Sequence, residues 1–399
     1  MKVGRVGVLG AGTMGRGIAQ VAALGGYETV LYDVSAELAE AGAASLREAL
    51  DKGAARGRWS EDDARAASSH VDTASELDEL RGCDLLIEAA PESLELKRAL
   101  FTGVAEALGP EPILATNTSS LRVSEIAEGV PRPERVVGMH FFNPPALMKL
   151  VEVVSAERSS DEALELAIEV AQRMGRISIR AKDSPGFVAN RLARPFPLES
   201  LRMLGDGVAD AATIDRIVRL GGGFRMGPFE LLDLIGLDVN LEIARSLFAQ
   251  GGQPERWRPS PIQEELVAEG RLGRKSGRGY HAYDEGRDRE ADPDLGIDAP
   301  TLDPAELAKI DPAAEEVLTR LFAQIANEAA FALEEEIASP EDMETAMRLG
   351  FNWPLGPLGI AELIGRARAL DLLEGLQTEK GAAYDPAPRL RAEAEREQR

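Results

Sequence analysis

The apolar positions of the chain follow two regimes. Up to about residue 182, short uninterrupted apolar runs alternate with stretches of helical spacing. The runs are Val6-Gly7-Val8-Leu9, Thr29-Val30-Leu31-Tyr32, Leu85-Leu86-Ile87-Glu88-Ala89, Ile113-Leu114-Ala115-Thr116, Val136-Val137-Gly138-Met139 and Leu150-Val151-Glu152-Val153-Val154. Runs of this kind suit strands covered on both faces. Ile18, Val21, Ala22 and Leu24, the stretch Leu94 to Leu108, and a helix opened by Ser124 fall between them. The alternation predicts a Rossmann-type α/β domain, a mostly parallel, doubly wound sheet that binds ligands outside the carboxyl ends of its strands. Asp33, Glu88 to Glu92, Asn117 to Ser119 and His140 to Asn143 lie at such ends. They are expected to converge on one crevice.

From Pro185 the pattern is helical throughout and repeats. Ile214-Asp215 to Arg219-Leu220-Gly221, then Gly227-Pro228-Phe229, is echoed by Met343-Glu344 to Arg348-Leu349-Gly350, then Gly356-Pro357-Leu358, at an offset of 129. Trp257 to Pro261 is echoed by Tyr384 to Pro388 at an offset of 127. A long amphipathic helix precedes each copy. Val317, Leu318, Leu321, Phe322, Ile325 and Ala329 make the stripe of the second, and Pro195 and Pro197 are expected to interrupt the first. Two all-α domains are therefore expected after the sheet domain. The boundaries read as 1–182 for the nucleotide-binding domain, 183–284 for the first helical domain, 285–312 for an Asp-, Pro- and Gly-rich linker, and 313–399 for a truncated second copy. The charged tail Arg389 to Arg399 reads as a solvated or frayed helix end.

A length of 399 residues accommodates these cores, and a net charge of −23 argues against nucleic acid as a partner. A phosphate-bearing ligand would need local basic residues. The one cysteine, Cys83, excludes intrachain disulfides and reads as a buried thiol in a reducing compartment. No segment has the length of a membrane span and no signal peptide is expected before the first strand, so the expected location is the cytoplasm.

The chemistry begins at Gly10-Ala11-Gly12-Thr13-Met14-Gly15, which follows a strand and opens a helix. The first glycine permits the tight turn and the second lets a pyrophosphate approach the backbone. The third lets helix pack on strand. Asp33 ends the next strand, where an acid accepts from ribose hydroxyls and repels a 2′-phosphate, so NAD rather than NADP is expected. His140 stands between a β-branched run and Pro144-Pro145, with Glu152 in the following run. A general base oriented by an acid and a strand-end core histidine both fit that placement, and these residues alone leave both open. His70 and His281 read as surface or packing residues. No metal ligand set is expected.

Together these motifs resemble the L-3-hydroxyacyl-CoA dehydrogenases, NAD-linked enzymes of β-oxidation. Besides the glycine motif, the resemblance rests on Asn117-Thr118-Ser119-Ser120-Leu121, His140-Phe141-Phe142-Asn143-Pro144-Pro145, Met148 to Val153 and Asp183 to Arg191. Met226 to Asp233 and Gly273 to Gly277 extend it to about residue 284, and the second helical copy resembles forms that fuse a duplicate C-terminal domain. The resemblance implies His140 as general base, Glu152 as its orienting partner, and Ser119 and Asn190 as polar contacts near the reacting carbon. It implies Asn143, Glu92 and Lys97 on the nicotinamide side, and Ser45 and Lys52 as coenzyme A contacts, with ordinary surface positions the alternative for that last pair. Lys52, Arg56, Arg58, Lys97 and Arg98 are candidates for a positive rim that offsets the chain's acidity toward coenzyme A.

The implied reaction removes the hydroxyl proton of a secondary alcohol while hydride leaves the same carbon. Histidine suits the first task, and a carboxylate fixes its tautomer and stabilises the imidazolium. Two other readings are an NAD-dependent dehydrogenase of a free hydroxy acid or sugar acid, disfavoured by Phe141-Phe142, and a non-catalytic dinucleotide-binding protein. Single-copy members form homodimers through the helical domain. A fused copy is expected to give a monomer with an intrachain pseudo-dimer, or a further homodimer. C4 and dicarboxylic acyl chains both stay open, with Arg191 and Arg194 as tails, salt bridges or a distal carboxylate site. The helical half is expected to supply Asn190 and close the crevice.

Overall fold

Every strand-forming run enters one sheet in the computed structural model, which describes residues 3–283 and 292–397. Residues 285–291 of the expected linker, residue 284 at the end of the first helical domain, and the last two residues of the tail lie outside the described residues. The chain divides into a unit of residues 1–187 and a unit of residues 188–399.

The first unit has strands β1 (Arg5–Leu9), β2 (Glu28–Tyr32), β3 (Val71–Ala74), β4 (Leu85–Glu88), β5 (Ile113–Thr116), β6 (Val136–Phe141), β7 (Leu150–Ser155) and β8 (Ile177–Lys182). Its helices are α1 (Thr13–Leu24), α2 (Ala36–Ala55), α3 (Glu61–Ser69), α4 (Leu94–Leu108), the single turn α5 (Val123–Ile126) and α6 (Asp161–Arg173). The order β3-β2-β1-β4-β5-β6-β7-β8 is a doubly wound Rossmann-type arrangement. All pairings are parallel except β6 with β7. A turn rather than a crossover helix joins those two, which permits only the antiparallel arrangement. Val6, Val8, Leu31, Leu85, Ile87, Ile113, Val137, Met139, Val151 and Val153 make the core with the apolar faces of α1, α2 and α6.

The second unit lays out the repeat. The first copy runs through α7 (Ala189–Leu192), α8 (Pro195–Gly205), α9 (Ala211–Leu220), α10 (Pro228–Ile235), α11 (Leu237–Gln250) and α12 (Pro261–Ala268). After α13 (Pro304–Leu307), the second runs through α14 (Ala314–Glu334), α15 (Pro340–Gly350), α16 (Pro357–Ile364), α17 (Arg366–Lys380) and α18 (Pro388–Glu397). The long helix of the second copy is divided into α7 and α8 in the first, with Pro195 at the first position of α8.

The copies meet through reciprocal ion pairs. Arg191 donates to Glu328 at 2.9 Å and to both oxygens of Glu335. Arg320, the counterpart of Arg191 in the second copy, donates to Glu199 at 2.8 Å and Asp206 at 2.9 Å. Glu199 and Asp206 are in turn the first-copy counterparts of Glu328 and Glu335, at the same repeat offset. The Trp257 indole donates to Glu328 at 2.9 Å, and the Tyr384 hydroxyl, its counterpart, donates to Glu199 at 3.2 Å. Contacts in which i meets j and j′ meets i′ are those of a two-fold interface. The copies also share a helix cap. Asp215 accepts from Phe229 and Glu230 backbone N–H groups, and Glu344 accepts from Leu358 and Gly359.

The tail departs from expectation. It forms α18 with Leu390 and Ala394 buried, because a short apolar stripe packs on α14 and α17. The described part of the segment before the second copy also docks: Asp292 pairs with Arg219, and Leu307 is buried.

Candidate active site

The glycine loop is shaped by close approaches. Gly10 has φ +110°, and its N–H donates to the Tyr32 carbonyl at 2.8 Å. A Cβ on Gly15 would meet the Gly10 carbonyl oxygen at 1.7 Å, so only glycine lets α1 start there. Gly12 is different: a Cβ there would meet nothing within 4 Å. Gly12 is also the N-cap of α1, which has no side-chain cap. Open space over uncapped N–H groups at Thr13 and Met14 fits a pyrophosphate. Asp33 follows β2 and accepts from the Ala11 N–H at 2.9 Å, which ties the ribose-directed acid to the loop. Among the described residues no cluster of His, Cys, Asp and Glu is arranged to hold a metal ion.

A buried network joins the ends of β4 and β5. Lys97 on α4 is 1 % exposed, and its Nζ donates to Glu88 Oε1 at 2.7 Å and to the Ala90 carbonyl at 3.3 Å. Glu92 Oε2 lies 3.3 Å from the same ammonium. Glu88 also accepts from the Thr116 hydroxyl at 2.6 Å. Glu92 Oε1 accepts from the Thr118 hydroxyl at 2.6 Å, the Ser119 and Ser120 N–H groups at 3.1 Å, and the Ser120 hydroxyl at 2.8 Å. Burial works against the charge of Glu92, yet the Lys97 ammonium and these donors outweigh it and hold its carboxyl below the ordinary range. Ser119 is half-buried, with its N–H held by Glu92. Asn117 extends the network, because its Oδ1 accepts from the Phe141 N–H at 2.8 Å.

His140 and Glu152 face each other because β6 and β7 are antiparallel and these two positions are in register. His140 Nδ1 lies 2.6 Å from Glu152 Oε2, with side-chain exposures of 8 % and 0 %. The imidazole packs against the rings of Phe142 and Phe187, centroids 4.7 and 5.9 Å away. Its Nε2 is the nitrogen not turned to the carboxylate. Asn143 is exposed and precedes Pro144 through a cis peptide bond.

Of the expected site residues, the first unit thus gathers Asp33 with the glycine loop, Glu92 with Lys97 and Ser119, and His140 with Glu152. Asn190 lies on α7 in the second unit. Ser45 and Lys52 lie on α2, half-buried and exposed, and Lys52 is 2.6 Å from Glu48. Arg98 is committed to the Glu125 carbonyl and to Glu128. His281 packs with Asp215, and Cys83 is buried, with burial pushing its thiol up to about 11. Sequence reasoning placed Glu88 at a strand end and Asp183 in a motif without giving either a partner, and gave Thr116 no role; the Asp183 carboxylate accepts from the Val123 and Ser124 N–H groups. An acid as the last residue of an otherwise apolar strand was the available signal for Glu88.

Two family models match the chain: "3-hydroxyacyl-CoA dehydrogenase, NAD binding domain" over residues 5–184, and "3-hydroxyacyl-CoA dehydrogenase, C-terminal domain" over residues 186–283 and again 317–398. The 3-hydroxyadipyl-CoA dehydrogenase of Escherichia coli (strain K12) is 36 % identical over 467 aligned positions, covering 99 % of this chain and 98 % of that protein. A probable 3-hydroxybutyryl-CoA dehydrogenase of Bacillus subtilis is 39 % identical over 71 % of this chain and 99 % of its own length. The crystal structure of 3-hydroxybutyryl-CoA dehydrogenase from Escherichia coli K12 superposes with a TM-score of 0.90 at 35 % identity, covering 100 % of this chain and 99 % of that one.

Proposed function

From the premise that the chain belongs to the 3-hydroxyacyl-CoA dehydrogenase family, NAD-dependent oxidoreductases of 3-hydroxyacyl thioesters, we propose that His140 is the general base and Glu152 its positioning partner. The observation that supports this most is the 2.6 Å contact between His140 Nδ1 and a fully buried Glu152 carboxylate. With Nδ1–H donated to Glu152, Nε2 carries the lone pair and accepts the proton of the 3-hydroxyl. Glu152 stabilises the imidazolium that results. Ser119 and Asn190 donate to the substrate oxygen as it becomes a carbonyl. NAD, when bound, supplies the hydride acceptor. Gly10, Gly12, Thr13, Met14, Gly15 and Asp33 are assigned its pyrophosphate and adenine ribose, and Glu92 and Asn143 its nicotinamide side. Lys97, enclosed by carboxylates, acts through Glu92. Ser45 and Lys52 are assigned to coenzyme A, with Arg56 and Arg58 beside them.

The reciprocal Arg191–Glu328 and Arg320–Glu199 pairs support a monomer whose second copy stands where a partner's helical domain would be. No helix among the described residues is long and apolar enough to cross a membrane, and the proposed location is the cytoplasm. The test is oxidation of NADH by 3-ketoacyl-CoA thioesters. His140→Gln should lower kcat by several orders of magnitude with NADH binding retained. Near-wild-type turnover in that variant would remove His140 from the mechanism.

A further inference from the structure

The turn that joins β6 to β7 carries Asn143 and lies in the chain between His140 and Glu152. Two contacts pin it within the first unit, and the first is Arg176. Its Nη1 donates to the Pro145 carbonyl at 2.9 Å and to the Met148 carbonyl at 3.0 Å. Its Nε donates to the Met174 carbonyl at 3.1 Å. Burial lowers the guanidinium below its ordinary pKa, and no charged group among the described residues opposes that shift. An arginine with carbonyl partners of this kind contributes directed hydrogen bonds rather than charge neutralisation.

The backbone of Arg176 is fixed as well. α6 ends in a Schellman arrangement: Gly175 takes φ +71° and donates to the Gln172 carbonyl, and the Arg176 N–H donates to the Ala171 carbonyl, each at 2.9 Å. Ile177 then donates to the Lys149 carbonyl at 2.7 Å as β8 begins. The second contact is Pro145 on α1. Pro145 is buried, and a Cβ on Gly17 would lie 2.8 Å from its Cδ, so the ring rests on the helix two residues past Gly15. Arg173, on the same end of α6, holds the other end of α1 by donating to the Gly25 and Gly26 carbonyls at 2.9 and 2.8 Å.

We propose that Arg176 is a positioning residue for hydride transfer: it holds the Pro145 turn on α1 and so fixes Asn143 relative to the glycine loop. This rests on the reading above that α1 receives the pyrophosphate of NAD and that Asn143 stands on its nicotinamide side. The elements assigned to the two ends of the cofactor are then spaced by a ring-on-glycine contact, which close packing leaves little room to slide. Hydride transfer depends steeply on placement, and a displacement of about 1 Å costs roughly 100-fold in rate. Arg173 makes equally many carbonyl bonds to the far end of α1, so its loss should cost stability without moving the turn.

The experiment compares Arg176→Met, Arg176→Lys, Gly17→Ala and Arg173→Met in the full chain. Arg176→Met, and Gly17→Ala by pushing the Pro145 ring away, should lower kcat for a 3-ketoacyl-CoA with NADH by about 10- to 100-fold. Each should also raise the primary isotope effect with NADH deuterated at the transferred position. ADP-ribose, which lacks the nicotinamide, should keep its Kd within about threefold, while the nicotinamide fluorescence lifetime of bound NADH shortens. Arg176→Lys should recover part of the rate, and Arg173→Met should lower Tm and move none of these readouts. An equal loss of kcat in Arg176→Met and Arg173→Met, with the isotope effect unchanged in both, overturns the proposal. So does additivity with Asn143→Ala, because residues that act through one another combine non-additively. If Asn143→Ala alone leaves kcat unchanged, the nicotinamide-side reading of Asn143 fails, and the proposal fails with it. Should Arg176→Met not fold, Gly17→Ala carries the same test.

Discussion

Replacing Glu152 by Gln isolates the charge of the His140–Glu152 pair. Glutamine keeps the shape and an oxygen that can accept Nδ1–H, so the tautomer is preserved and only the counter-charge is lost. As the 3-hydroxyl proton reaches Nε2, a full positive charge forms with its centre about 4 Å from the carboxylate, an attraction of about 4 kcal/mol at an effective dielectric constant near 20. The glutamine dipole recovers part of it. The barrier should therefore rise by about 3 kcal/mol, which is roughly a hundredfold in kcat, with KM changed far less. The assay is steady-state NADH absorbance in both directions, with NADH binding followed by fluorescence and folding by melting temperature. Because oxidation and reduction share one transition state, kcat/KM should fall by the same factor in each. A Glu152→Gln enzyme within about threefold of wild type, with its fold intact, would refute the claim that Glu152 stabilises a developing imidazolium.

Two further predictions concern the second unit. Glu328→Ala removes one of the two carboxylates that close the buried Arg191, the nearer carboxylate of Arg256 and the acceptor of the Trp257 indole, and should cost about 3 kcal/mol, a fall of roughly 10 °C in Tm. An unchanged Tm would mean that the reciprocal pairs do not hold the copies together. The hydrogen bond from His281 to Asp215, opposed by burial, raises the imidazole above its ordinary 6.5, and burial likewise raises Asp215. The native state then holds these protons more tightly than the unfolded chain, so the His281 contribution is complete below about pH 6.5 and is lost as pH rises through the raised value. The Tm advantage of wild type over His281→Gln should accordingly shrink between about pH 6 and pH 8; a margin that grows with pH would reverse the sign of the argument.

Legibility in the sequence followed the physics of each element. β1, β2, β4, β5, β6 and β7 are covered on both faces and leave continuous apolar runs. β3 and β8 are the sheet's edges. Val71-Asp72-Thr73-Ala74 exposes its middle pair, and Ile177 to Lys182 buries alternate residues, so neither leaves such a run. The His140–Glu152 pairing was implied by the resemblance while the residues alone left it open, and the antiparallel register of β6 and β7 supplies its physical reason. The Glu88–Lys97–Glu92 network was not readable, since a lysine in a helical stripe gives no sign that two strand-end acids will enclose it.

Arg191 and Arg194 carry that limit furthest. They stand close together in one motif, and nothing local tells an arginine closed by carboxylates from one that has none. What separates them lies in the distant second copy, in Glu328 and Glu335 for the first and in Ala323 as the counterpart of the second. In a symmetric homodimer the same residue type would stand at both counterpart positions, and fusing the copies removes that constraint. Glu335 for Asp206 and Tyr384 for Trp257 keep the charge or the donor that the interface needs. Thr319 for Asn190 and Ala323 for Arg194 keep neither the amide nor the guanidinium. The interface positions have drifted only within their chemistry, and Asn190 and Arg194 have lost theirs in the second copy. That division is what the proposed role of the second copy as a packing partner requires.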